Sequence, residues 1–125
     1  MAQNKQYRLG PAYLANAAAN ILNGAITSLA GPVGVTLVQP VIYLKSIHLF
    51  NTTAGPVTAS LYVGATGGST GGTEILKSQS IAANSPYDKA FFGSGMRLES
   101  TDFLTGLAGS ASAITIEAEF EIGFQ

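Results

Sequence analysis

The most regular pattern in the chain lies at its C-terminal end. There Ile114, Ile116, Ala118, Phe120, Ile122 and Phe124 alternate with Thr115, Glu117, Glu119 and Glu121. A period of two puts the two sets on opposite faces of a strand, so the apolar set turns to a core and the three glutamates to water. From Val41 to Asn51 apolar residues fill both alternating sets, with Val41, Tyr43, Ile47 and Leu49 on one and Ile42, Leu44 and Phe50 on the other. That is the pattern of an interior strand. The cluster from Asn51 to Pro56 (NTTAGP) is a dense turn signal, and beyond it Val57, Ala59, Leu61 and Val63 alternate with Thr58, Ser60 and Tyr62. The two segments are expected to pair as a hairpin.

Gly64 to Gly72 (GATGGSTGG) carries too much backbone entropy for the interior of an element and reads as a flexible loop. Thr73–Leu76 and Gln79–Ala83 are short strand candidates, Asn84–Asp88 is a further turn cluster, and Ala90–Phe92, Met96–Leu98 and Asp102–Leu104 are brief apolar pieces. Ala12–Leu29 is ambiguous. Leu14, Ala17, Ala18, Ile21, Leu22, Ala25 and Leu29 recur at helical spacing, but Asn16, Asn20, Asn23 and Gly24 are poor helix formers and no charge marks a polar face. Two strands joined at Asn23-Gly24 are preferred over a helix. Seven to nine short strands in 125 residues predict an all-β, single-domain β-sandwich over residues 10–125, with the jelly roll as its candidate topology, preceded by an extended N-terminal arm over residues 1–9.

Charge changes the picture of the surface. Six Lys and Arg and seven Asp and Glu make 10% of the chain, against about 25% in a typical soluble domain, and the net charge is −1. The surface must be covered by Ser, Thr, Asn, Gln and Gly, or by other protein chains. No basic patch exists to hold nucleic acid. The absence of Cys excludes disulfides, thiolate nucleophiles and zinc–thiolate sites. Leu9 to Leu44 contains no charged residue, but Asn16, Asn20, Asn23, Pro11, Pro32 and Pro40 interrupt it, which argues against a membrane span or a cleaved leader.

Candidate chemistry is thin. Gly67 to Gly71 (GGSTG) matches the nucleophile-elbow pattern around Ser69, but a strand-like piece follows where a helix is needed, and the single histidine, His48, precedes the serine. The loop has no lysine to close a phosphate cradle. Glu117, Glu119 and Glu121 are spaced about 7 Å apart, as a carboxylate pair for glycoside hydrolysis could be, but nothing nearby would separate their pKa values, and a solvated strand face is the better reading. Asp88, Glu99 and Asp102 lack metal-loop spacing. Asn51-Thr52-Thr53 is a glycosylation sequon, with meaning only in a secreted eukaryotic protein. No catalytic residue, cofactor site or metal site is expected. The candidate contact residues are Tyr87, Phe91 and Phe92 near Pro86, for which burial in the core is the competing role, and Tyr7 and Arg8 in the arm, which could order on a neighbouring subunit.

The order of an Arg8-Leu9-Gly10-Pro11 opening, an Ala/Asn-rich piece, the strand from Tyr43 to Thr53, the segment Ser60 to Ser69 and a terminal strand resembles small virion structural proteins of tailed bacteriophages, of the capsid decoration or cement kind. The similarity spans most of residues 8–124. It implies a β-sandwich on the capsid surface, contacting the major capsid protein or other virion subunits, as a homo-oligomer with the trimer favoured, and without cofactor, nucleic acid or membrane. A phage tail component, or a receptor- or glycan-binding module using Tyr62 or Phe91 as a stacking platform, is the alternative.

Overall fold

The computed structural model describes residues 5–23, 28, 29, 35, 36, 40–64, 71–93, 95–99 and 101–124. Among them are eleven strands and no helix: β1 (Lys5–Tyr13), β2 (Ala19–Asn23), β3 (Ser28–Leu29), β4 (Val35–Thr36), β5 (Pro40–Asn51), β6 (Val57–Gly64), β7 (Glu74–Ile81), β8 (Pro86–Ala90), β9 (Met96–Leu98), β10 (Phe103–Ala108) and β11 (Ile114–Phe124). One sheet has the order β1-β11-β5-β8, with β9 continuing the β8 side of β5, and the other has the order β2-β10-β6-β7. Every pairing is antiparallel. The hydrogen-bonded partners β1/β11, β2/β10, β5/β8 and β6/β7 are what one long antiparallel ribbon gives when it folds over on itself. This is the jelly roll: the eight ribbon strands form two layers around one core, and β9 is a fifth strand of the first sheet.

The core is aliphatic. Ile42, Leu44, Ile47 and Leu49 of β5 and Ile114, Ile116, Ala118 and Ile122 of β11 meet Ala59 and Leu61 of β6 and Leu104 and Ala108 of β10 from the other sheet. The alternation expected of the C-terminal strand is present: Ile116, Phe120 and Ile122 are buried, while Glu119 is exposed and Glu117 and Glu121 are half-buried.

The two apolar sets of β5 have a cause other than double-sided burial. In the ladder to β11, Glu119 faces Ser46 and Phe120 faces Leu44, so Lys45 is the extra residue of a β-bulge. This bulge flips the strand's parity. Ile42 and Leu44 point inward before it, and Ile47 and Leu49 after it. β5 is nevertheless interior, hydrogen-bonded to β11 on one side and to β8 and β9 on the other.

The hairpin expected of β5 and β6 does not form. The two strands lie in different sheets, and residues 52–56 cross between them. Asn51, fully buried, explains the crossing. Its side-chain amide donates to the carbonyls of Gly55 (2.8 Å) and Ile81 (3.0 Å), and its Oδ1 accepts from the main chain of Thr53 (2.9 Å) and from the Thr53 hydroxyl (2.7 Å). The return crossing from β7 to β8 lies alongside: Asn51 N–H donates to Ser85 O at 2.9 Å and Asn84 N–H to Thr53 O at 3.1 Å. A side chain that satisfies buried main-chain groups in this way fixes an arch rather than a tight turn. The same burial removes Asn51 as an acceptor of glycan.

Other expectations shift in detail. Within Ala12–Leu29 the described residues are strand at 12–13, 19–23 and 28–29 and irregular at 14–18, with no helix, but β2 hydrogen-bonds to β10 and β3 to β4, so β2 and β3 are not hairpin partners; Gly24 lies outside the described residues. β1 begins inside the segment expected as an arm, since Lys5–Leu9 run against β11 from Ile122 to Ala118. The pieces at Thr73–Leu76 and Gln79–Ala83 are one strand, β7, carrying Ser78 at φ +50°. The turn expected at Asn84–Asp88 is confined to Ala83 and Asn84, because Pro86 opens β8, an edge strand whose first residue needs no donor.

Candidate functional site

The five candidate contact residues fall at two opposite edges of the first sheet. Tyr7 and Arg8 are on β1, at one edge; Tyr87 is on β8, with Phe91 and Phe92 in the connection to β9, at the other. Strands β11 and β5 lie between, a separation of roughly 14 Å at about 4.8 Å per strand. They do not converge on one site.

At the β1 edge, Tyr7 turns inward and stacks on its cross-strand neighbour Phe120, with ring centroids 5.8 Å apart and planes 27° from parallel. Arg8 is exposed and faces Glu119 across the ladder. Gln6, Tyr7, Arg8, Lys45, Glu119 and Phe120 line an open, polar cleft of about 390 Å³. Lys45 reaches Glu121 at 3.5 Å.

At the opposite edge Tyr87 and Phe91 are half-buried and pack on the core, whereas Phe92 is 97% exposed. The main chain on each side of Phe92 is anchored. Phe91 N–H donates to Lys45 O at 3.0 Å, and Gly95 N–H donates to Phe92 O at 3.1 Å. Gly95 has φ +99°, and a Cβ there would stand 2.3 Å from Leu44 O, so only glycine permits this approach to β5. The Phe92 ring is therefore presented to solvent from a main chain hydrogen-bonded on both sides.

A second depression opens where β1 and β2, edge strands of the two different sheets, come together. It measures about 270 Å³ and is lined by Leu9, Ala12, Tyr13, Leu14, Ala15, Ala19, Asn20, Ile21, Gly106 and Ile116. Among the described residues no charged side chain lines it. Tyr13, at its rim, is 56% exposed and, with Phe92, is one of the two large exposed apolar residues among those described. Ala12, Ala15 and Ala19, short side chains of the Ala-rich stretch, are among the residues that line the depression.

His48, Asp88 and Glu117 are register neighbours in the first sheet. His48 Nδ1 lies 2.5 Å from Asp88 Oδ1, and Glu117 is directly opposite His48 in the ladder to β11. The pair is open to solvent, and among the described residues no serine or threonine hydroxyl is hydrogen-bonded to the other ring nitrogen. Ser69 lies outside the described residues. The carboxylates weighed as metal ligands are engaged separately: Asp102 Oδ2 accepts from Glu99 N–H at 2.9 Å, Glu99 pairs with Arg97 at 2.8 Å, and Asp88 holds His48. No group of three potential ligands occurs among the described residues. Glu74 has its carboxyl held below the usual carboxylate range, chiefly by main-chain hydrogen bonds, including one from Gly72 N–H at 2.9 Å, and further by Lys77. Tyr62, a candidate sugar-stacking platform, is buried.

The sequence reading missed the depression between β1 and β2, the exposed Tyr13 and the His48–Asp88 pair. The first two depend on how two edges meet, and the third on a register linking residues 40 apart; no local motif marks any of them.

No family model matches the chain, and no curated protein matches it. Among solved structures it is similar to a subunit of the disulfide-linked pili formed by Bacillus endospore appendages, with 22% identity and a TM-score of 0.49 over 100% of this chain and 90% of that one. It is also similar to the Tobacco streak virus coat protein, with 9% identity and a TM-score of 0.46 over 98% of this chain and 85% of that one. A third similarity is to a chain in the structure of infectious bursal disease virus Gx strain, with 7% identity and a TM-score of 0.47; 98% of this chain is covered and 32% of the larger one.

Proposed function

We propose that the chain is a non-enzymatic structural subunit of a bacteriophage virion, a decoration (cement) protein that adds to the surface of a pre-formed capsid and bridges its subunits, as a trimer and without a cofactor. The observation that carries this reading is the placement of the exposed aromatic residues. Phe92 and Tyr13 stand at opposite edges of a jelly roll whose described residues offer no enclosed pocket with convergent polar groups. Contact groups on separate sides of a rigid sandwich suit a subunit that touches several neighbours at once, while an enzyme needs them gathered around one reacting centre. The charge-poor surface agrees, because few charges have to be stripped of water when it is covered. The resemblance of residues 8–124 to phage decoration proteins supplies the capsid as partner.

Stabilisation would follow mass action. A protein that binds only the assembled shell stabilises it by RT ln(1 + [L]/Kd), about 2.7 kcal/mol per site at a hundredfold excess over Kd, repeated over many sites. The test compares particles made with and without the protein for thermal and osmotic rupture. Particles lacking it should rupture at lower temperature, and adding it back should restore the threshold. Equal thresholds together with the chain found at the tail would support the tail component, and binding to a host-surface glycan would support the receptor module; either result overturns the decoration reading.

A further inference from the structure

We infer that Phe92 of one copy inserts into the depression between β1 and β2 of a second copy, so that the chain self-associates head to tail. The occupant, a second copy of this chain, rests on the assembly reading above; the contact itself is read from the two surfaces.

The surfaces match in size and character. Phe92 is 97% exposed, a state that a lone large aromatic leaves with gain when a partner covers it. The depression, walled by Leu9, Ala12, Tyr13, Ala19, Ile21 and Ile116, has about 270 Å³ of space. A dry apolar cavity of about 150 Å³ is enough to bind benzene, so a phenyl ring fits with room for the edges of its turn. The described residues lining the depression carry no charge, and Phe92 is flanked in sequence by Phe91 and Gly93.

The geometry also fixes the mode of association. The main chain at Phe91 and Phe92 is held by hydrogen bonds from Phe91 N–H to Lys45 O and from Gly95 N–H to Phe92 O, which lowers the conformational entropy lost on docking. Phe92 is at the β8–β9 edge of the first sheet and the depression at its β1 edge, so a chain cannot fill its own depression. The contact uses a different patch on each partner, and such heterologous contacts either close into a ring, a trimer when each step turns by a third of a circle, or continue as an open array.

The test is sedimentation velocity of the full chain over a concentration series, with Phe92→Ala, which removes the insert, and Ala19→Arg, which blocks the depression. Both positions are exposed, and circular dichroism checks that each variant keeps the fold. The wild type should self-associate, with little change between low and moderate salt, and each variant alone should weaken association about tenfold or more. A mixture of the two variants should form a discrete pair, because the Ala19→Arg chain still offers Phe92 and the Phe92→Ala chain still offers an open depression. A wild type that stays monomeric overturns the inference. So do variants that associate like the wild type, in which case assembly stands and this contact does not. A mixture that fails to pair, although each variant is folded and defective alone, also overturns it.

Discussion

Asn51 donates from its side-chain amide to the main-chain oxygen of Ile81, 3.0 Å away, and so ties the end of β5 in one sheet to the end of β7 in the other. Because Asn51 is fully buried, neither group can turn to water if the other is removed. Asn51→Ala would orphan Ile81 O and Thr53 N–H and should cost about 2–4 kcal/mol, read as a lower midpoint in urea. Asn51→Asp keeps the shape but points a carboxylate oxygen at carbonyl oxygens, and should be at least as damaging at neutral pH. A loss below about 0.5 kcal/mol for both would mean that the arch does not depend on this side chain.

On β11, neighbouring residues face opposite ways. Phe120 is 8% exposed and stacks on Tyr7, whereas Glu119 is exposed. Phe120→Ala should cost roughly 3–5 kcal/mol and Glu119→Ala less than about 0.5. Equal losses in denaturant unfolding would contradict the facing of this strand.

Gly10 lies in a bulge of β1 at φ +84°, where a Cβ would stand 2.2 Å from Ile116 O. That atom belongs to the main chain of β11 and cannot move aside without breaking the ladder. Gly10→Ala should cost about 3 kcal/mol, and amide hydrogen exchange should quicken first in β1. Unchanged protection there would show that β1 tolerates a side chain at this position.

Glu74 has a folded-state pKa below its unfolded value, so its contribution to stability is present above the ordinary carboxylate range and is lost as pH falls through the lowered value. In an NMR titration its midpoint should lie below that of the same residue in a short unstructured peptide. Glu74→Gln should remove that part of the acid sensitivity. A peptide-like midpoint would contradict the hydrogen bond from Gly72.

The fold is legible in the sequence where side-chain period reports burial directly, as on β11, and where turn residues break the chain into short strands. It is not legible where a tertiary contact overrides the local signal. The turn signal after Asn51 is real, but whether such residues make a hairpin or an arch depends on Ile81, 30 residues away. The two apolar sets of β5 look like burial on both faces, yet one bulge residue, Lys45, accounts for the change of parity. The contact residues were readable as aromatic types but not as surfaces. Tyr87, Phe91 and Phe92 are near neighbours in sequence, and only the anchored turn separates the one that points to solvent from the two that pack on the core.

The central claim, that this jelly roll binds and strengthens a pre-formed shell, is tested most directly by adding the purified chain to capsids that lack it and measuring bound copies by co-sedimentation at low and moderate salt. Saturable binding, with a fixed number of copies per shell and little change with salt, is expected of an apolar and uncharged polar contact. Absence of co-sedimentation at both salt concentrations, or binding that never saturates and disappears as salt rises, would contradict it.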